Sequence, residues 1–429
     1  MITMMAAKPD TSISWRQNTR AIWFAELVAI IGFTVVTPIL PLYIRELGVT
    51  GEKQVSIWSG VVFSAQAVTM AIFGPIWGAL SDRFGRKVMV ERAMFAGAGV
   101  MTLMGLARSP QELALLRALQ GALTGTVTAA TALVASCTPD DKAGYALGTL
   151  QMAVYLGASA GPLVGGLVGD TLGYRSAFFL TGALLVAAAL GVLVFVREPA
   201  QTGTNADSST RASGRGKGFH ARVLSHLSPV LASAPLLSVL GTRLILRLAS
   251  RLTRPTLPLF VESIAAPYTR IATMTGIISG ANALGGAIGG RYLGQLGDRV
   301  GYRLILVICA LASALCYAPQ SLVGQPMWLI PLQAAAGLAM GGILASISAS
   351  LAALAPRGRE GIVYGVDASV VSVANIIGPM TGSSLAALFG LRLPFVATAA
   401  VFGLGGIVAL RLLPDLGRWG SLTRSTPRV

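Results

Sequence analysis

The stretch Gly78-Ala79-Leu80-Ser81-Asp82-Arg83-Phe84-Gly85, followed by Arg86-Lys87, returns 216 residues later as Gly294-Gln295-Leu296-Gly297-Asp298-Arg299-Val300-Gly301. The flanking sequence repeats with it. Thr37-Pro38-Ile39-Leu40-Pro41-Leu42 is echoed by Arg254-Pro255-Thr256-Leu257-Pro258-Leu259, and Gly161-Pro162 by Gly378-Pro379. Gly173, Arg175 and Phe178 return as Gly390, Arg392 and Phe395, all at an offset of 217. The slip of one residue is a single loop indel, and the chain reads as two similar halves.

Of 429 residues, 54% are hydrophobic and 12% charged, with a mean hydropathy of +0.70, which excludes a water-soluble fold. A membrane span needs about 20 apolar residues to cross about 30 Å of hydrocarbon, where only helices and closed barrels satisfy every backbone group. Continuous apolar runs argue for helices, because barrel strands alternate in pieces of roughly ten residues. The runs predict spans one to six at 21–44, 55–80, 88–107, 113–136, 144–168 and 174–196, and spans seven to twelve at 235–263, 271–293, 304–319, 327–354, 361–389 and 391–413.

A formal charge of +16 raises nucleic acid as a partner, but the 33 basic residues are sorted by loop. Both termini and alternate loops carry 22 of them, the opposite loops 6 and the spans 5. That bias predicts cytoplasmic termini and no nucleic-acid partner. No short apolar segment with a small-residue cleavage site precedes the first span, which is expected to direct its own insertion. Cys137, Cys309 and Cys316 fall in or at the ends of spans without metal-ligand spacing, so packing roles are expected and neither metal nor cofactor is implied.

Each repeat holds an even number of spans, so the halves insert in one orientation about an axis along the membrane normal. Residues 1–197 and 235–429 are expected to form two six-helix bundles with a cavity between them. The segment 198–234, rich in Gly, Ser, Thr and basic residues, reads as a flexible cytoplasmic linker.

The 78–87 stretch resembles the most characteristic signature of the major facilitator superfamily, and the resemblance covers nearly the whole chain. It implies an all-α membrane fold of twelve transmembrane helices in two pseudo-symmetric six-helix bundles. Its cytoplasmic gate would comprise Gly78, Asp82, Arg83, Gly85, Arg86 and Lys87, with Asp298 and Arg299 in a second copy that has Tyr302 in place of Arg86. Gly85 permits a tight turn, and the basic residues can pair with acids or anionic headgroups. The resemblance implies that Asp82 latches against the start of span eleven, whose positive dipole end favours it. The bland reading is that these charges only set topology.

Span five carries Gly157-Ala158-Ser159-Ala160-Gly161-Pro162-Leu163-Val164-Gly165-Gly166, similar to the signature of proton-coupled antiporters in that superfamily. Glycines four apart bare one helix face and Pro162 adds a bend, although ordinary small-residue packing uses the same spacing. A nucleophile-elbow match at 157–161 fails for want of a strand and a histidine partner, since His220 and His226 lie in the linker. No phosphate-binding G-x-x-x-x-G-K-[ST] run is present to point to ATP.

Arg117, within Leu116-Arg117-Ala118-Leu119-Gln120-Gly121, is similar to the superfamily arginine implicated in proton transfer; snorkelling to the nearby outer boundary also explains it. Glu26 is the only acid in span one, and an intramembrane carboxyl either pairs or titrates. Proton coupling is expected of it, with a structural ion pair as the alternative. Better-known drug antiporters carry an acid about two turns deeper, where this chain has Thr34.

Span seven bears Arg243, Arg247, Arg251 and Arg254 at spacings of four, four and three, which form one helical stripe; Arg243 stands at the repeat position of Glu26. The stripe is either an electropositive wall for anionic or zwitterionic substrates, or it pairs between halves with Asp367 and Glu26 and snorkels at its inner end. Asp367 joins Glu26 and Arg117 as a proton-coupling candidate, paired either with Arg83 or Arg86 in the gate or with the stripe. Gln120, Gln151, Tyr155, Asn282 and Asn375, with Thr34, complete the expected cavity lining, and each also serves as interhelical glue.

Pro38-Ile39-Leu40-Pro41-Leu42-Tyr43, Leu47-Gly48-Val49-Thr50-Gly51 and Trp58-Ser59-Gly60 narrow the resemblance to the 12-helix drug:proton antiporter family. That implies a monomeric inner-membrane carrier, not an enzyme, that exports small amphipathic molecules in exchange for protons by alternating access. Its partners would be lipid, substrate and protons. A proton-coupled uptake symporter or facilitator is the alternative, against which the span-five signature argues. A membrane enzyme would need a catalytic constellation that the spans lack, and a sensor would lack transport.

Overall fold

The computed structural model describes residues 15–139, 142–197, 233–267, 269–356 and 360–413, in which all regular structure is helical. The expected linker, except for its last two residues, lies outside the described residues, as do Arg357 and Arg359. Eleven helical stretches are long and apolar enough to cross a bilayer. The twelfth is span seven, Ala234–Leu252 continued by Leu257–Ile264, whose arginines dilute its apolar run.

Three spans expected to be continuous are broken. Span one is Trp15–Val35 followed by Leu40–Glu46, with Pro38 between them, and span seven breaks at the matching place around Pro255. Proline has no N–H for the helical ladder and its ring crowds the preceding turn, so the apolar run continues while the helix does not. Span four is split into Pro110–Leu123 and Thr126–Cys137 at Thr124-Gly125, where Gly125 adopts φ +139°. Span two runs from Glu52 to Phe84, so most of the signature expected as a loop is helix, and the turn is Gly85 alone at φ +94°. Gly301, at φ +101°, makes the same one-residue turn between Ile271–Val300 and Tyr302–Gln320. A side chain is strained in that conformation, which is why both copies of the stretch end in glycine.

The repeat extends to individual contacts. The Thr181 hydroxyl donates to the Gly32 carbonyl at 3.0 Å, and Thr398 donates to Ala249 at 3.5 Å. Tyr43 packs on Phe178 as Phe260 packs on Phe395, with ring centroids 4.9 and 4.7 Å apart. Lys87 reaches the Leu193 carbonyl and Arg303 that of Leu410. In each half the broken span is clasped by a glycine: a Cβ on Gly165 would stand 1.8 Å from the Val35 carbonyl oxygen, and one on Gly382 would stand 1.8 Å from that of Leu252. The span-five and span-eleven glycines therefore let those helices lie directly against the carbonyls freed at the breaks.

Between the halves, spans two and eleven meet, as do spans five and eight. Ser64 donates to the Ile376 carbonyl at 2.8 Å and Ser159 to that of Gly280 at 3.1 Å, the same contact with donor and acceptor halves exchanged. Farther out, the Asp170 carboxylate accepts from the backbone N–H groups of Ala272 and Thr273 at 3.2 and 2.7 Å, capping span eight. Arg45 pairs with Glu262 at the outer ends of spans one and seven, and Arg175 lies 3.4 Å from Glu46. Arg45 and Glu262 are themselves 217 residues apart, so the symmetry-related positions carry opposite charges and bind each other. These contacts join the halves on the side to which spans one and seven run.

Gly165→Ala is expected to lower the thermal unfolding midpoint of the purified carrier, at an overpacking cost of about 1–3 kcal/mol. Gly148→Ala, on the same helix with open space around it, is expected to leave it unchanged; equal midpoints would remove the clasp. Reversing either Arg45 or Glu262 alone is expected to raise external maleimide labelling of a cysteine at position 159 by about twofold to fivefold, as suits a half-exposed pair. Exchanging both charges restores the low labelling, and labelling indifferent to all three changes would take the pair out of the closure.

Candidate functional site

Glu26 lies eleven residues into its helix, about 16 Å from the start along the axis, rather than the turn and a half expected from a helix beginning at Ala21. It has no exposed surface, and neither carboxylate oxygen has a hydrogen-bond partner of acceptable geometry among the described residues. The polar side chain facing it is Thr126, the first residue of the inner piece of span four. The break at Thr124-Gly125 thus turns a helix N-terminus, with its unfilled N–H groups and positive dipole end, toward a buried acid. Glu26 is occluded inside the N-terminal half, and no pairing with Arg243 is found among the described residues. Such a carboxyl can hold a proton, or face the helix start when ionised.

Thr34 is a packing residue in this arrangement: its hydroxyl donates to the Ile30 carbonyl at 2.7 Å and the Gly157 carbonyl at 3.1 Å, and Gly161 makes room for it. Gly157 and Gly161 bring span five onto span one, Gly165 clasps its break and Gly166 sits against Ala272 of span eight. Pro162 lies inside the helix, and its carbonyl meets Gly276 across the halves.

Arg117 is 3% exposed, which rules out snorkelling. Its guanidinium donates to Gln66 Oε1 at 3.0 Å and Gln120 Oε1 at 2.8 Å, with the Phe63 ring 6.0 Å away. Two amide oxygens hold it without a carboxylate. Gln66 was not singled out in the sequence, although a glutamine in an apolar span is itself a signal.

The span-seven arginines converge on spans eleven and five. Arg243 pairs with Asp367, and Arg251 Nε donates to Asn375 Oδ1 at 2.7 Å. Both partners belong to the same half, so the stripe does not pair between halves with Asp367 and Glu26 as one reading expected. Asp367 thus turns to the stripe, through Arg243. Arg247 lies in electrostatic reach of Tyr155 in the other half, and Arg254 in reach of Tyr317, next to Gln333. Neither Arg247 nor Arg254 has a carboxylate partner among the described residues. Among the described residues, one of the four guanidiniums, that of Arg243, is paired with a carboxylate. Gln151 is exposed on span five, and Asn282 donates to the Gln333 side chain at 2.8 Å, which in turn donates to Gln320 at 3.0 Å.

At the inner ends, Arg86 donates to the Ala132 carbonyl of span four at 3.1 Å and Lys87 lies 3.6 Å from Glu91, so both secure the N-terminal half to itself. Gly78 faces open space. The side chains of Asp82 and Arg83 lie outside the described residues, so the expected latch onto span eleven does too. In the second copy Tyr302 donates to Asp298, filling that aspartate locally, while Arg299 is exposed. The Arg45–Glu262 pair was legible in the sequence from the 217 offset and went unread. The approach of Thr126 to Glu26 left no such mark.

The family model described as Major Facilitator Superfamily matches residues 22–263 and 239–428. The Multidrug resistance protein MdtG of Enterobacter lignolyticus is 37% identical over 394 residues, 91% of each chain, and that of Citrobacter koseri 36% identical over 417 residues, 97% of each. Among solved structures, the nucleoside transporter NupG aligns with a TM-score of 0.74 at 12% identity, over 92% of this chain and 98% of that one. A D-xylose–proton symporter aligns with a TM-score of 0.73 at 14% identity, over 93% and 98%. With its broken first spans, one-residue inner turns and paired six-helix bundles, this multi-pass membrane chain belongs to the major facilitator superfamily.

Proposed function

We propose that the chain is a multidrug exporter that moves small amphipathic molecules out of the cell in exchange for protons, by alternating access between its two halves. The observation that carries this reading is the asymmetry at repeat-related positions: an occluded acid at Glu26 with no ion-pair partner among the described residues in one half, and an excess of guanidinium at Arg243, Arg247, Arg251 and Arg254 in the other. The relatives' description as multidrug resistance proteins supports the direction of transport. One chain supplies both halves of the cavity, so a monomer suffices. The basic-residue bias supports a bacterial inner-membrane protein with both termini in the cytoplasm.

The roles divide by half. Glu26 carries the proton, and its occlusion means that release waits for the broken span four to move away from it. Arg117, held by Gln66 and Gln120, positions span four against span two. The stripe binds substrate: three guanidiniums beyond the one compensated by Asp367 favour molecules with a carboxylate, phosphonate or zwitterionic head, and Tyr155 and Asn375 add orienting polar groups. Asp82 latches the inner side when the outer side opens. A potential of 100 mV contributes about 2.3 kcal/mol for each charge moved inward, so one or two protons drive substantial accumulation.

Proteoliposomes with an imposed proton gradient test the reading directly: gradient-driven substrate movement opposite to the proton is expected, and none in either direction would defeat it. Glu26→Gln is expected to abolish substrate-driven proton movement, and full proton movement in that variant would remove Glu26 from coupling. Arg247→Ala is expected to weaken anionic substrates about tenfold or more, as befits a lost charge-assisted contact, and cationic ones little. Equal losses for both would count against a binding role for the stripe.

A further inference from the structure

On the membrane-facing side of the N-terminal half, spans one and six leave a groove of about 800 Å³. Its floor is made of small residues, among them Ala21, Ala25, Ala188 and Gly191, and its rim of Phe24 and Phe195, which are 62% and 70% exposed. Its polar end is at the face where span one begins and span six ends, and it carries Arg20 and Arg197. Among the described residues no acidic side chain lines it. Neither guanidinium has a hydrogen-bond or ion-pair partner among the described residues.

The polar end is built rather than incidental. Asn18, 2% exposed, donates through Nδ2 to the Arg197 carbonyl at 2.7 Å and accepts from the Arg197 N–H at 3.1 Å, which fixes Arg197 to span one beside Arg20. Trp15 and Trp23 on the same helix place this level at the headgroup boundary, where indoles concentrate. Arg20 also borders a second recess with Arg16 and Lys142 on the opposite flank of span one. A groove with two cations at headgroup level and a bare apolar floor running deeper has the charge and polarity of an amphiphile with an anionic head and a hydrocarbon tail.

We propose that this groove binds an anionic phospholipid of the adjoining leaflet, its phosphate between Arg20 and Arg197 and one acyl chain along the alanine and glycine floor. Occupancy ties the start of span one to the end of span six, and so braces the helix that carries Glu26.

The full-length carrier, purified and delipidated in detergent, is titrated with phosphatidylglycerol, phosphatidylethanolamine or glycerol phosphate while its thermal unfolding is followed; native mass spectrometry counts the lipid retained. Phosphatidylglycerol is expected to bind and stabilise preferentially. Arg20→Gln and Arg197→Gln are each expected to reduce that preference roughly fivefold, and Arg20→Lys to keep most of it. Stabilisation in the variants by phosphatidylethanolamine at the wild-type level verifies that they fold. Equal binding of the two lipids by the wild type, an anionic preference that survives both substitutions, or glycerol phosphate matching the lipid would each overturn the assignment.

Discussion

A bilayer offers no partner to a free N–H or C=O, so every departure from helix inside it must be answered by another part of the same protein. Among the described residues this chain makes three such departures, and at two of them the freed backbone is met by a glycine. Gly165 lies against the carbonyls freed where span one breaks, and Gly382 against those freed where span seven breaks. The Gly-rich faces of spans five and eleven therefore let each helix approach the freed carbonyls as closely as backbone allows. Beyond the breaks, the short segments Leu40–Glu46 and Leu257–Ile264 carry Arg45 and Glu262, which join the two halves.

Span four shows what the same constraint can do when it is answered by chemistry. Its break at Thr124-Gly125 leaves the start of a helical piece inside the N-terminal half, and the group opposite is Glu26. The repeat equivalent of Glu26 is Arg243, which is paired with Asp367. Two repeat-related positions differ: one is a buried acid with no hydrogen bond of acceptable geometry among the described residues, the other a cation paired with a carboxylate. Around that difference the contacts stay symmetric, down to the Thr181–Gly32 and Thr398–Ala249 bonds. The scaffold is duplicated and the polar groups within it are not.

How much of this was legible in the sequence follows from the range of each signal. Twelve apolar runs and an offset near 217 are long-range regularities, and they carried the fold. A tight turn at Gly85 was legible because a positive φ favours glycine, whereas its reduction to one residue, and the matching turn at Gly301, were not read. The breaks were not, since hydropathy continues through Pro38 and Thr124-Gly125 as if the helix did. Partner choice was out of reach for a related reason. The arginine stripe is visible from spacing alone, but whether Arg243 turns to Asp367 or to Glu26 depends on how two bundles are rotated, and no local pattern records that. The same holds for Arg117, whose nearness to a span end suggested snorkelling until Gln66 of another helix proved to hold it.

The Arg45–Glu262 pair has a bearing on how such a chain could have arisen and on what it can no longer do. Two identical halves, whether from a tandem gene copy or from two separate six-span proteins, would bring a pair of arginines or a pair of glutamates together on the axis. Like charges there push the outer ends apart. With opposite signs in the two copies, the halves are mates rather than duplicates: an N-terminal half closes more favourably against a C-terminal half than against its own kind, so this single position discourages assembly from mismatched parts.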